Sequence, residues 1–262
     1  MFRFSICVYP VHLWFDLNSK MKHLLTAFNL LTTIPLPASK DWQAGDSGRA
    51  SVWYPFVGLI IGGLTWLMWT GTMRVFPAPV AGILTLVVWV MLTGGLHLDG
   101  LADCCDGLLA STSVERRLEI MKDPRLGAFG GIGLLLVLLL KAATLATLTP
   151  ASSFGIILAA SLGRWCILPA GIMPLARPSG LGADFAAGFH RRYIFVGAII
   201  PLALALILGA RGVISLLAGL IAAALVLRLA KSRIGGVTGD VFGMTVEVVE
   251  TVSLLIFAIG VL

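Results

Sequence analysis

Seven apolar runs dominate this chain, at about residues 53–73, 80–98, 128–148, 152–174, 193–209, 212–230 and 241–262. Each comes close to the roughly 20 residues that an α-helix needs to cross the hydrocarbon of a bilayer. Inside lipid every backbone N–H and C=O must be satisfied within the segment or by a closed barrel. The alternation expected of barrel strands is absent, so the runs have to be helices. Charge agrees: 12% of the 262 residues are charged and 58% are hydrophobic, against about 25% charged in an average soluble domain. The expected fold is all-α, a polytopic transmembrane helical bundle of about seven spans. A shorter apolar stretch near 23–34, closed by Pro35 and Pro37, reads as an interfacial or re-entrant helix.

Residues 1–20 differ from the rest of the chain, because Pro10, His12 and Asp16 interrupt their apolar character and they carry no small-residue cleavage site. Met21-Lys22 reads as a natural start. The expected organisation is therefore a non-native or disordered extension over 1–20 and a single integral membrane catalytic domain over 21–262. Cys7, Cys104, Cys105 and Cys166 form neither a C-x-x-C pair nor a zinc spacing, and are expected to be reduced. The net charge of +6 lacks the dense basic block, interleaved with aromatics, that nucleic-acid binding needs.

Where the charges fall matters more than their sum. Seven spans divide the connections into two alternating sets. One set, near 37–52, 99–127, 175–192 and 228–240, holds twelve Lys and Arg; the other holds two, Arg74 and Arg211. The positive-inside rule places the first set in the cytoplasm. Apart from Asp16, Glu247 and Glu250, every acid lies in that same set. Polar chemistry on one face suits an enzyme acting on a soluble, charged substrate better than a transporter, whose polar groups gather at the midplane.

Three segments carry candidate chemistry. In Thr93–Gly107, TGGLHLDGLADCCDG, the residues Asp99, Asp103 and Asp106 stand at i, i+4 and i+7, one face of a helix. Three carboxylates beside hydrocarbon repel one another and resist desolvation, and a hard divalent cation would neutralise them. The competing reading is a solvated acidic loop end. His97 is open to three roles: ligand, proton shuttle, or cap at the membrane boundary. The second segment, residues 114–127, offers a short amphipathic helix and then Lys122 and Arg125 ahead of a glycine-rich helix start, a ready phosphate site. Its competing reading is an ordinary cytoplasmic helix laced with ion pairs. The third is Arg233–Asp240, where Gly235 and Gly236 allow backbone N–H groups to converge on an anion and Asp240 opens the last span. Glu247 and Glu250 lie further along that span, where intramembrane carboxylates are functional by default. Lys141 and Arg164 either pair with them or, for Arg164, reach a phosphate.

TGGLHLDGLADCCDGL, LEIMKDPRLGAFGG, SLGRW at 161–165 and RIGGVTGDVFG at 233–243 together resemble the cobalamin synthase family, adenosylcobinamide-GDP ribazoletransferase. The likeness covers about 21–262. It implies a bacterial inner-membrane enzyme, with its active site on the cytoplasmic side, that joins adenosylcobinamide-GDP to α-ribazole or α-ribazole 5′-phosphate and releases GMP. It also implies Mg²⁺ as the cofactor. The expected metal ligands are Asp99, Asp103, Asp106 and Asp240. Asp103, Asp106 and His97 are the expected catalytic groups, with either aspartate as base and the 5′-hydroxyl of the ribazole as nucleophile. Lys122, Arg125, Arg164, Gly235 and Gly236 are the expected phosphate-binding set. The expected partners are the corrinoid nucleotide, α-ribazole and the lipid bilayer, with a homo-oligomer left open. The D-G-x-A run at Asp99 to Ala102 is also similar, in part, to the motif of CDP-alcohol phosphotransferases, which makes them the rival reading, ahead of a transporter built on Glu247, Glu250 and Lys141.

Overall fold

The computed structural model describes residues 11–37 and 42–260, with side chains from residue 20 onward. Among these residues every regular element is a helix, and the one β-feature is a lone parallel bridge between Leu175 and Val237. The all-α expectation holds. Helix α1, Val11–Leu31, includes most of the stretch expected to be interfacial or re-entrant and is not among the helices apolar enough to cross a membrane.

After a short helix α2, Asp46–Ala50, and one 3₁₀ turn, α3 runs over Tyr54–Val75 and continues as one crossing. Helix α4, Ala78–Thr93, is expected to continue to residue 98 but stops at Gly94 and Gly95, with φ of 62° and 71°. Two consecutive left-handed residues cannot continue a right-handed helix, and only glycine adopts that conformation without steric cost. The chain turns by 93° into α5, Leu96–Leu109. Thr33, just beyond α1, ties down two of the carbonyls at that break: its N–H donates to Leu92 O and its hydroxyl to Met91 O, at 2.9 and 2.7 Å.

A short helix α6, Val114–Ile120, leads to α7, Ala128–Thr147, which crosses back. Helices α8, Gly155–Trp165, and α9, Ile167–Ala170, form a shorter apolar pair. Helix α10, Leu181–Gly188, meets α11, Arg192–Ile207, at 102°. Helices α12, Gly209–Ile234, and α13, Gly239–Ala258, complete the chain. By length and composition four helices cross outright, and six if each bent pair counts as one crossing, against the seven expected. Against six, the difference is α8–α9, which falls short of a span; against four, it also includes the bends at α4–α5 and α10–α11.

Helix α13 is the centre of the bundle and packs against α5, α7, α8 and α12. Between lipid-facing helices there is little hydrophobic drive to associate, so close packing and polar contacts hold them together. Both are present. Gly163 of α8 faces Val246 and Glu250, Gly155 faces Phe257, and the Ser215 and Ser253 hydroxyls share a hydrogen bond of 2.5 Å. Lys141 of α7 bridges Glu247 and Glu250 at 2.6 and 2.5 Å, and Arg164 of α8 pairs with Glu250. Large apolar side chains on α7, α11 and α12, such as Leu135, Phe195 and Ile221, remain exposed. Such a belt suits contact with acyl chains.

Candidate active site

The site begins with a close approach between two helices. A Cβ added to Gly100 of α5 would stand 2.8 Å from the Asp240 carbonyl oxygen, and one added to Gly243 of α13 would stand 3.0 Å from His97 O. The backbones of α5 and α13 therefore touch, which brings the start of α13 alongside the acidic face of α5. Asp103 is half-buried and feels the charges of Asp240, Asp99 and Asp106, with Arg177 as the opposing cation. Thr238 caps α13, its hydroxyl accepting from Val241 N and donating to the Asp240 carboxylate at 3.1 Å. Arg177 donates to the same Asp240 oxygen at 3.2 Å and to Leu118 O at 2.9 Å, while its Nε is buried without a partner.

Asp106 faces a different neighbour. Its two oxygens accept from the N–H groups of Gly127 and Gly130, each at 2.8 Å, so it caps the start of α7 from a distance of twenty residues or more along the chain. A carboxylate at a helix N-terminus is favoured by both hydrogen bonding and the helix dipole. Behind it, the buried Arg117 of α6 donates to Gly107 O and Leu108 O at 3.1 and 2.7 Å, closing the C-terminal end of α5.

Oxygen donors suit Mg²⁺ chemically. Among the described residues, however, no group of three or more His, Cys, Asp or Glu side chains converges closely enough to hold a metal ion. Asp99, Asp103 and Asp240 share one electrostatic neighbourhood. Asp106 is engaged at α7 and Asp240 by Arg177. The donor set fits a hard cation in kind, and its oxygens are not gathered into a coordination shell.

Beside these groups lies a cavity of about 250 Å³ between α5, α13 and the segment leading into α10. His97, Asp99, Arg177 and Asp240 line its polar side, and Phe185 and Phe242 its apolar side. His97 is only 3% exposed and its Nδ1 has no hydrogen-bond partner. The cavity wall is held from behind by Asp184 of α10, whose carboxylate accepts from Gly45 N, Ser47 N and the Ser47 hydroxyl.

Other expected site residues fall elsewhere. Lys122 and Arg125 are exposed and neither lines the cavity. Arg125 instead forms a two-pronged pair with Asp123, at 2.9 and 2.6 Å, and this holds the Asp123 carboxyl down at about 2. Arg164 is wholly buried among α8, α7 and α13 in contact with Glu250, the pairing alternative rather than the phosphate one. Gly235 ends α12 with φ 78°, and Gly236 packs against the Pro174 carbonyl. Those two glycines shape the loop, while its later residues Val237 to Asp240 reach the cavity. Cys104, Cys105 and Cys166 are free and buried; Cys7 lies outside the described residues. In the sequence Arg177 stands out only as one of the twelve one-sided cations. Nothing local shows that it pairs with a carboxylate 63 residues away.

A helical bundle with an exposed apolar belt and an acidic, cation-edged cavity defines a multi-pass membrane protein. Comparison with known proteins gives the particular kind. The family described as cobalamin-5-phosphate synthase matches residues 23–258, and the chain belongs to that family. It is 37% identical over 244 residues to the adenosylcobinamide-GDP ribazoletransferase of Desulfitobacterium hafniense, covering 90% of this chain and 96% of that one. The protein of the same name from Thermosynechococcus vestitus is 37% identical over 230 residues, 86% and 92% of the two chains. That from Acinetobacter baumannii is 35% identical over 239 residues, 89% and 96%. No solved structure matches.

Proposed function

We propose that the chain catalyses the reaction for which these relatives are named, joining adenosylcobinamide-GDP to α-ribazole or its 5′-phosphate with release of GMP, late in cobalamin synthesis. The observation that carries the mechanism is the packing of Asp240 against the Asp99–Asp103 face of α5 at the mouth of a cavity.

A ribose hydroxyl oxygen attacks the phosphorus next to the cobinamide, the P–O–P bond breaks, and GMP leaves with the bonding electrons. The hydroxyl proton passes to a carboxylate. Asp103 is the better placed of the two expected bases, because Asp106 is already engaged by two N–H donors. The expected 5′-hydroxyl cannot be the nucleophile in general: an acceptor that keeps its 5′-phosphate in the product has that oxygen blocked, so a secondary ribose hydroxyl attacks. Arg177, with an unpartnered Nε at the cavity, is suited to hold a phosphate oxygen. Asp99, Asp103 and Asp240 would hold Mg²⁺, which supplies charge neutralisation at the diphosphate. On the seven-span reading, in which α8–α9 completes a crossing, the twelve-to-two charge bias supports a cytoplasmic active site in an inner membrane.

The transporter reading loses its support. Lys141, Arg164, Glu247 and Glu250 neutralise one another, and the cavity beside them, about 10 Å³, would hold at most a single water. Incubating the purified protein with adenosylcobinamide-GDP and α-ribazole, with and without Mg²⁺ and a chelator, tests the proposal. Cobalamin and GMP formed together are the expected products; CMP released from CDP-alcohols instead would replace this reading with its rival.

A further inference from the structure

Resting on the proposed function, we infer that the 250 Å³ cavity is the seat of the acceptor's heterocyclic base: it takes an uncharged bicyclic aromatic nucleoside and leaves the corrinoid outside. Size decides first. Pockets that enclose drug-sized ligands run from about 300 to 1,000 Å³. This cavity falls just below that range, enough for a flat two-ring base with part of its sugar and far too small for a corrin macrocycle bearing an adenosyl group.

The wall chemistry agrees. Phe185 and Phe242 are nearly fully buried, with ring centroids 5.1 Å apart and planes tilted by 59°. Leu31 and Ile167, 2% and 3% exposed, extend the same dry surface. Such a surface suits the face of an aromatic ring. His97 lines the same cavity, and its Nδ1 is buried with nothing to bind. A buried polar group of this kind calls for a partner, and the unsubstituted ring nitrogen of a benzimidazole-type base accepts from an Nδ1–H.

At the rim, Asp99 and Asp240 suit hydroxyl donors of a sugar, and Arg177 marks where the donor's phosphate would meet that sugar. Asp99 also lines a second space, an open groove of about 650 Å³ between the α4–α5 elbow and α7, walled by Leu134 and Leu138. The bulky donor fits inside neither space and would approach Asp99 from this open side, where the reacting atoms meet.

The test uses the full chain in lipid nanodiscs and steady-state KM values for each substrate. Ala183→Phe and Ser179→Trp narrow the cavity; Ser179 is exposed, so its replacement leaves folding intact. Both should raise KM for α-ribazole by about tenfold or more while KM for adenosylcobinamide-GDP stays within about twofold. Wild type should favour α-ribazole over an analogue whose ring nitrogen is replaced by C–H by roughly tenfold, and His97→Ala should lose that preference. Narrowing variants that raise only the donor KM, or a wild type blind to the ring nitrogen, would overturn the assignment. A wild type that forms no cobalamin from these substrates would instead overturn the function on which it rests.

Discussion

Asp103 illustrates how much one side chain's neighbours matter. Three carboxylates act on it and one guanidinium opposes them, so changing its charge should be felt in turnover and not in folding. Asp103→Asn is expected to purify normally and unfold at the wild-type temperature, with kcat/KM reduced about 100-fold or more; a near wild-type rate would remove it from the mechanism. Asp106 should behave differently, because it caps α7. Asp106→Ala should lower stability by about 1 kcal/mol, as lost helix caps do, measured by thermal unfolding in detergent. A third prediction concerns pH. Asp123 is held at about 2 by its hydrogen bonds to Arg125. A carboxyl lowered in the folded state contributes above its ordinary range and loses that contribution as pH falls, here between about 4 and 2. Carbon-13 carboxyl titration should place its midpoint near 2, and Arg125→Ala should return it toward the ordinary 3.8.

At the scale of elements, the site is made by an elbow and a crossing. Gly94 and Gly95 turn α5 out of the line of α4, and Gly100 then lets α5 lie directly on the start of α13. A side chain at Gly100 meets backbone, which has nowhere to move. Gly100→Val should therefore force α5 from α13, costing on the order of 1–3 kcal/mol of stability as overpacked contacts do. Because it separates Asp240 from Asp99 and Asp103, it should also abolish turnover at temperatures where the variant is still folded. Thermal unfolding and the cobalamin assay on the same preparation check both halves. A stable and active variant would show that the crossing does not assemble the site.

For the whole molecule, the buried charges of α7, α8 and α13 work as a neutral set: two cations, Lys141 and Arg164, against Glu247 and Glu250. Lys141 also lies over the Trp89 ring at 5.1 Å. Removing one member leaves an uncompensated charge in a dry interior, at a cost of about 3–5 kcal/mol, whereas removing an opposed pair costs much less. Lys141→Met should be strongly destabilised, and the double variant with Glu247→Gln should recover part of the loss in an unfolding titration.

The apolar runs determined the class of fold by themselves, because a bilayer admits few backbone solutions and every one of them leaves its hydrophobic signature in the chain. The spacing of Asp99, Asp103 and Asp106 likewise marked the face on which to look. Tertiary structure decided the rest. A spacing along one helix says which side chains share a face but not what that face meets. Only packing set Asp240 and Arg177 beside Asp103, turned Asp106 toward α7, withdrew Arg164 into an ion pair with Glu250, and closed Phe185 and Phe242 around the space next to His97.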